Sequence, residues 1–165
     1  MAPLKLFTWN ISSGNLSSRA PAGFSTADKC AAIARLVAQE APDFCSLQEL
    51  QRPDELQEQL AEAGLYQVAS APSHCGHTVV YVAGSLLDRV SGTLTTGPLA
   101  AVQLLPPPGG GRPLVLAAGH LEPFAEGASA RLAQLQGLLG AVPPDAELCC
   151  VGDCNMRKAE NAAGE

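Results

Sequence analysis

Nowhere in this chain do roughly 18 apolar residues follow one another, and the opening "MAPLKLFTWN" has no charged segment leading into a long apolar run. Neither a membrane span nor a secretion signal is indicated, and an intracellular protein that is not secreted is expected. Cysteines are present without the arrangements that would give them a structural task. The six stand at 30, 45, 75, 149, 150 and 154, four of them within expected helices or strands and none in a CxxC pair. That argues against a disulfide framework and a zinc site and leaves reduced, mostly buried thiols. No run of Lys or Arg occurs and the net charge is only -6, so no broad electrostatic footprint for nucleic acid is visible and any phosphate contact must be local. Also missing are a Walker loop, the Rossmann glycine fingerprint, a Ser-His-Asp ordering, low-complexity tracts and repeats at a solenoid period of about 20 to 50 residues.

What remains is the content of one globular domain: 165 residues, 47% of them hydrophobic, with no excess of Gly, Pro or charge to suggest disorder. "LKLFTWN" alternates as a strand does, and the Gly, Ser, Asn and Pro of "ISSGNLSSRAPAG" read as an open loop. Ser25 and Asp28 predict a capping box before "ADKCAAIARLVAQ", whose apolar positions 30, 33, 34 and 37 share a helix face, and Pro42 marks its end. "DFCSLQEL" has strand length. Pro53 opens a second helix, "PDELQEQLAEAG", with acids in its first turn and Gly64 at its end. "YQVAS", "TVVYVA" and "LAAVQLL" are further strand candidates, "PPPGGG" a surface turn, and "PLVLAAG" a strand again. Ser129 starts "ARLAQLQGLLGAV", apolar at 132, 135, 138 and 139, before a last strand in "ELCCVGDCN". The order β-α-β-α-β-β-β, turn, β-α-β predicts a layered α/β architecture.

Four of these strands end in chemically capable residues: Trp9-Asn10, Gln48-Glu49, His120-Leu121-Glu122 and Asp153-Cys154-Asn155. Each has an ordinary alternative, since Asn10 and Asp153 suit turns, Glu49 suits a solvated helix start, and His120 suits a satisfied half-buried position. Their recurrence at strand ends is what points to chemistry, because loops converge there in layered α/β folds. A hard cation such as Mg²⁺ takes oxygen ligands, often one or two carboxylates completed by water and substrate phosphate, and Glu49 suits that task. Phosphodiester cleavage also needs a group that aligns water, for which Asp153 with Asn155 is suited. Donors to the transition-state charge are needed too, for which His120, Asn10 and Arg157 are candidates.

In the order "TWN", "LQE", "GHLE" and "GDCNMR" the whole chain resembles the endonuclease/exonuclease/phosphatase superfamily. "GHLEPFAEGASARLAQLQGLL" followed by "CCVGDCNMRKAE" is most similar to its tyrosyl-DNA phosphodiesterase 2 branch, with an R-x-x-Q-L helix and G-D-x-N-x-R-x-x-E. The resemblance implies a two-sheet α/β sandwich of DNase I-like type with pseudo-symmetric halves. It further implies a Mg²⁺-dependent phosphodiesterase, Mn²⁺ substituting, that removes a tyrosyl adduct from a DNA 5′ end in nuclear repair of trapped topoisomerase, with some protein in the cytoplasm. Carried over by position, Glu49 and Asn10 would serve the metal, His120 the transition-state phosphate, Asp153 the attacking water and Asn155 its support. Ile11, Ser12, Ser13, Gly14, Leu121, Glu122, Met156 and Arg157 would contact the DNA end.

The chain also departs from that pattern. Ser12 stands at the acidic position of W-N-I-D-G, and Pro123 replaces the last serine of S-H-L-E-S. The superfamily's S-D-H, whose Asp and His would complete the site, occurs nowhere in the 165 residues. Residues 1–165 are therefore expected to form one domain of this type without its C-terminal strands, leaving "ELCCV" with an open edge. The resemblance leaves two other readings: the same fold acting on RNA, a nucleotide or a phosphoinositide, or a non-catalytic fragment, since a site missing cooperating groups loses most of its rate.

Overall fold

The computed structural model of the chain describes residues 3–12 and 25–156. Within them, eight strands build two four-stranded sheets. The first holds β1 (Leu6–Asn10), β2 (Phe44–Leu50), β3 (Leu65–Ser73) and β4 (Gly76–Ala83) in the order β1-β2-β4-β3. The second holds β5 (Val90–Thr96), β6 (Leu99–Leu104), β7 (Leu114–His120) and β8 (Glu147–Asp153) in that same order. Helix α1 (Thr26–Glu40) connects β1 to its parallel neighbour β2, and α3 (Ala128–Ala141) connects β7 to its parallel neighbour β8. All other pairings are antiparallel. Each sheet thus has one parallel pair at one edge, and the two halves mirror each other in the manner that the resemblance implies.

Strand alternation assigns the core to three layers. On β2, β4, β6 and β7, residues Phe44, Val80, Val82, Ala100, Val102, Leu116 and Ala118 face the other sheet. Their alternate neighbours Cys45, Leu47, Val79 and Tyr81 pack against Ile33, Val37, Leu56 and Leu60 of α1 and α2 (Pro53–Glu62). Leu99, Ala101, Val115 and Ala117 pack against Leu138 of α3. Burial of these side chains on both sheet faces stabilises the sandwich by roughly 25 cal/mol per Å² of apolar surface withdrawn from water.

Local signals act as expected. Ser25 Oγ accepts from the Asp28 N–H, and the Asp28 carboxylate accepts from the Ser25 N–H, completing the box that starts α1. Ala41 ends the helix in the left-handed region, where its N–H reaches the carbonyls of Val37 and Ala38. Gly64 turns at φ +81 after α2. One strand escapes the sequence pattern: β5, "VSGTLTT", is a polar edge strand beside β6. Strand β8 sits at the opposite edge, hydrogen-bonded to β7 alone among the described residues. No helix among the described residues is long and apolar enough to cross a membrane.

Candidate active site

The two parallel pairs bring four strand ends to one place. Asn10 lies opposite Gln48 and His120 opposite Asp153 in register. Alternation puts Asn10, Gln48, His120 and Asp153 on the faces that the two sheets turn toward each other, because each is an even step from an inter-sheet residue such as Phe44, Leu116 or Val151. Contact follows across the sheets. Asn10 Nδ2 donates to Glu49 Oε1 and to Asp153 Oδ2, both at 2.9 Å. His120 Nε2 lies 3.9 Å from each of the same two oxygens.

Glu49 reaches this group only through a backbone irregularity. Strict alternation would send it with Cys45 and Leu47 toward the helices. The β2–β4 register instead shifts between Leu47 and Leu50, and Glu49 adopts φ +60, which swings its carboxylate to Asn10. A non-glycine residue in that region carries strain that the surroundings must hold, a feature that concentrates at functional sites. The holding element is the β3–β4 turn: Gly76, at φ +128, packs so close that a Cβ there would lie 3.0 Å from the Leu50 carbonyl oxygen. Asp153 depends on a similar approach. At Gly152, with φ +125, a Cβ would lie 2.2 Å from the Gly119 carbonyl oxygen, so the glycines before His120 and Asp153 let β7 and β8 close on each other.

Two carboxylates therefore converge on one amide nitrogen. Among the described residues the only ion-pair partner either acid has within 4.0 Å is His120. That imidazole is 3% exposed, and burial, helped by His74, holds its pKa below the usual histidine range, against the pull of Asp153, Glu49 and Glu122. With His120 held toward its neutral form, the more distant Lys29 is the cation whose charge acts on Glu49 among the described residues, and no Lys or Arg among them lies within 4.0 Å of either acid, which suits a bound cation. No group of three or more His, Cys, Asp or Glu forms a metal cage among the described residues. Two carboxylates open to water match a Mg²⁺-type site better than a zinc-type one. Asn10 has its Oδ1 engaged by the Ser12 N–H at 2.9 Å, so its amide orients the acids more directly than it could ligate.

The remaining predicted residues divide. Asn155, at φ +48, supports Asp153 through its backbone, donating N–H to Oδ1 at 3.1 Å, while its side chain donates to the Leu121 carbonyl at 2.9 Å and ties the two strand ends together. Glu122 lies half-buried beside His120. Leu121, 1% exposed, packs in the core beneath α3, and Ile11 is buried against α1, so their side chains belong to the scaffold. Ser12 and Met156 are exposed, and the Ser12 carbonyl accepts from Lys29 Nζ. Ser13, Gly14 and Arg157 lie outside the described residues.

The sequence pattern assigned no role to several further residues that the structure brings in. Arg131, 1% exposed, donates through Nη1 to the carbonyls of Glu122 and Phe124 at 2.6 and 2.7 Å, and Gln134 Oε1 accepts from the Glu122 N–H. The R-x-x-Q spacing thus fixes the loop that follows His120. Buried Ser46 and Gln48 and exposed Thr8 form a hydrogen-bonded group on the strand pair that carries Asn10. His74, in the β3–β4 turn, sets its ring 4.4 Å from that of His120, and no spacing in the sequence could have signalled that contact.

No family model and no curated protein sequence matches the chain. Its fold matches solved structures. TDP2 of D. rerio, humanized by 14 mutations, is 26% identical with a TM-score of 0.65, over 98% of this chain and 70% of that one. The D. rerio protein complexed with single strand DNA product is 24% identical with a TM-score of 0.66, over 97% and 64%. TDP2 of C. elegans is 21% identical with a TM-score of 0.70, over 95% and 49%. The human Nocturnin catalytic domain with bound sulfate anion is 19% identical with a TM-score of 0.71, over 98% and 68%. The chain therefore spans between about half and 70% of the length of these proteins.

Proposed function

Because this chain has the fold of the endonuclease/exonuclease/phosphatase superfamily, we propose that it is a metal-dependent phosphodiesterase of the tyrosyl-DNA type, acting on DNA 5′ ends that carry a tyrosyl adduct, in the nucleus. One observation carries the reading: Asn10, Glu49, His120 and Asp153, far apart in sequence, meet at the ends of four strands with two acids sharing one amide donor. The DNA-product complex of the D. rerio neighbour supports a DNA substrate.

Glu49, with Asn10 beside it, would hold Mg²⁺, with Mn²⁺ as substitute, and the cation when bound would offset the negative charge of the phosphodiester. The chain's own groups divide the rest. Asp153 keeps lone pairs free beyond its bonds to Asn10 and Asn155 and is part-exposed, so it would align a water and take up its proton. His120, neutral and fixed by burial, would donate from Nε2 to a non-bridging phosphate oxygen, which gains charge as the water attacks. Asn10 would keep the two acids at a constant separation throughout.

Incubating the protein and Mg²⁺ with a 5′-phosphotyrosyl oligonucleotide tests the reading. Release of tyrosine, abolished by EDTA, is expected. The fold match to ANGEL2, a 2′,3′-cyclic phosphatase in complex with adenosine-2′,3′-vanadate (16% identity, TM-score 0.68), keeps an RNA or nucleotide substrate as second reading, so poly(A), a dinucleotide and inositol phosphates complete the panel. Preference for any of these over the tyrosyl oligonucleotide would replace the first reading, and turnover of none would leave a non-catalytic binding domain.

A further inference from the structure

Beside His120 lies a cavity of about 360 Å³, whose lining includes Pro72, His74, Pro98, His120, Glu122 and Gln134. That volume falls in the range of small-ligand sites. Its walls come from both sheets: the turn after β3, the turn between β5 and β6, the end of β7, and α3. His120 belongs to both places, since its Nε2 faces Glu49 and Asp153 while its ring borders the cavity.

The chemistry of the lining selects the kind of group that fits. No Lys or Arg is among the lining residues and Glu122 is an acid, so a phosphate is disfavoured here. The imidazoles of His74 and His120, with centroids 4.4 Å apart and tilted by 52°, form a wall of π-surface, and Pro72 and Pro98 add apolar walls. His74 is exposed at its turn and keeps a face available. Hydrogen-bonding capacity sits at the edge. Glu122 is a carboxylate acceptor, and Gln134, whose Oε1 is spent on the Glu122 N–H, retains its Nε2 donors. A planar ring with an amino donor and an adjacent acceptor satisfies that pair, as adenine and cytosine do, while guanine offers two donors to the carboxylate. Thymine presents carbonyl oxygens flanking its N–H and would face the acid unfavourably.

We infer that this cavity is a nucleobase subsite, in which His74 stacks on the base of the nucleotide whose phosphate lies at Asn10, Glu49 and Asp153, and in which Glu122 selects amino-bearing bases. The inference rests on the phosphodiesterase reading for the placement of the phosphate. Its selectivity toward bases is separable from turnover.

The test titrates dAMP, dCMP, dGMP and dTMP, which hold no phosphodiester, into the 165-residue chain with Mg²⁺ and follows the His74 and His120 ring protons by NMR. The three amino-bearing nucleotides are expected to shift the His74 signals with at least fivefold tighter binding than dTMP. His74→Ala should weaken all of them about tenfold, the scale of a stacking contact, His74→Phe should restore binding, and Glu122→Gln should abolish the discrimination. Equal binding of all four, or binding indifferent to His74→Ala in a variant whose thermal unfolding is unchanged, overturns the subsite. Base-selective binding by a protein that hydrolyses nothing in the substrate panel would sink the phosphodiesterase reading and leave the subsite standing. Hydrolysis indifferent to the base and to His74 would do the reverse.

Discussion

Asn10 has one amide nitrogen, and Glu49 and Asp153 both depend on it. Two carboxylates held this close repel each other unless a cation intervenes. In metal-free protein Glu49→Gln should therefore raise stability, since the amide oxygen still accepts from Asn10 and the repulsion is gone. About 1 kcal/mol, or roughly 2–4 °C in Tm, is the expected gain. Saturating Mg²⁺ should raise the wild-type Tm by mass action and leave the variant unmoved. Calorimetry with and without Mg²⁺ checks both, and a variant that is less stable than wild type in EDTA would remove the argument. Asp153→Asn should lower hydrolysis about 100-fold or more, the usual scale for a positioned base. The sign for His120 follows from its depressed pKa. Below the ordinary value of 6.5 the unfolded chain takes up a proton that the folded chain refuses. Stability falls as pH drops through 6.5 and levels off below the folded pKa. Urea midpoints at several pH values should show that decline in the wild type and a shallower one in His120→Asn. Gly152→Ala, which drives a Cβ against the Gly119 carbonyl at a positive φ, should cost about 3 kcal/mol, at the upper end for overpacking.

At the scale of elements, α3 covers the second sheet and also holds the loop that carries Glu122. Arg131 is the fastener: a buried guanidinium between the carbonyls of Glu122 and Phe124, with Phe124 held at φ +70. Arg131→Met should leave those two carbonyls unpaired and cost on the order of 3 kcal/mol, the scale of buried acceptors left without a donor. Hydrogen exchange should then accelerate at 121–125 before it does in β6 and β7, and uniform acceleration would mean that the arginine serves the whole fold. Much of this was legible in the sequence. The capping box of α1, the period of α3 and the polar strand ends are local signals and act locally. The R-x-x-Q spacing was visible, but its target, the backbone of 122–124, was not, because a loop's path is set by tertiary contacts. Strand β5 was missed because "VSGTLTT" alternates without strong apolar residues and lies at an edge where one face stays half-exposed. Glu49 was legible as an acid near a strand end, although the register shift that turns it toward Asn10 has no signature in "SLQEL".

For the whole molecule, the sandwich explains why chemistry appears at one end. Two crossover units, each with a parallel strand pair at a sheet edge, place both pairs of strand ends side by side, so residues separated by more than a hundred positions become neighbours. Whether the halves hold together as one cooperative body can be read from the cysteines, which sample every layer. Cys75 is exposed at the β3–β4 turn, Cys30 and Cys45 are buried between the first sheet and its helices, and Cys149 and Cys150 are half-buried on opposite faces of β8. Burial pushes Cys45 up to about 12 and Cys150 up to about 11, so neither supplies thiolate at neutral pH. Iodoacetamide labelling at pH 7.5, followed by mass spectrometry, should modify Cys75 first. Cys149 should follow as the β8 edge opens locally. Cys30 and Cys45 should react only at urea concentrations that unfold the chain globally, because their exposure requires α1 and α2 to leave the sheet. If Cys45 were labelled together with Cys149 at low urea, opening of the edge would have carried the first sheet with it, and the two halves would unfold as a single unit whose weakest point is β8.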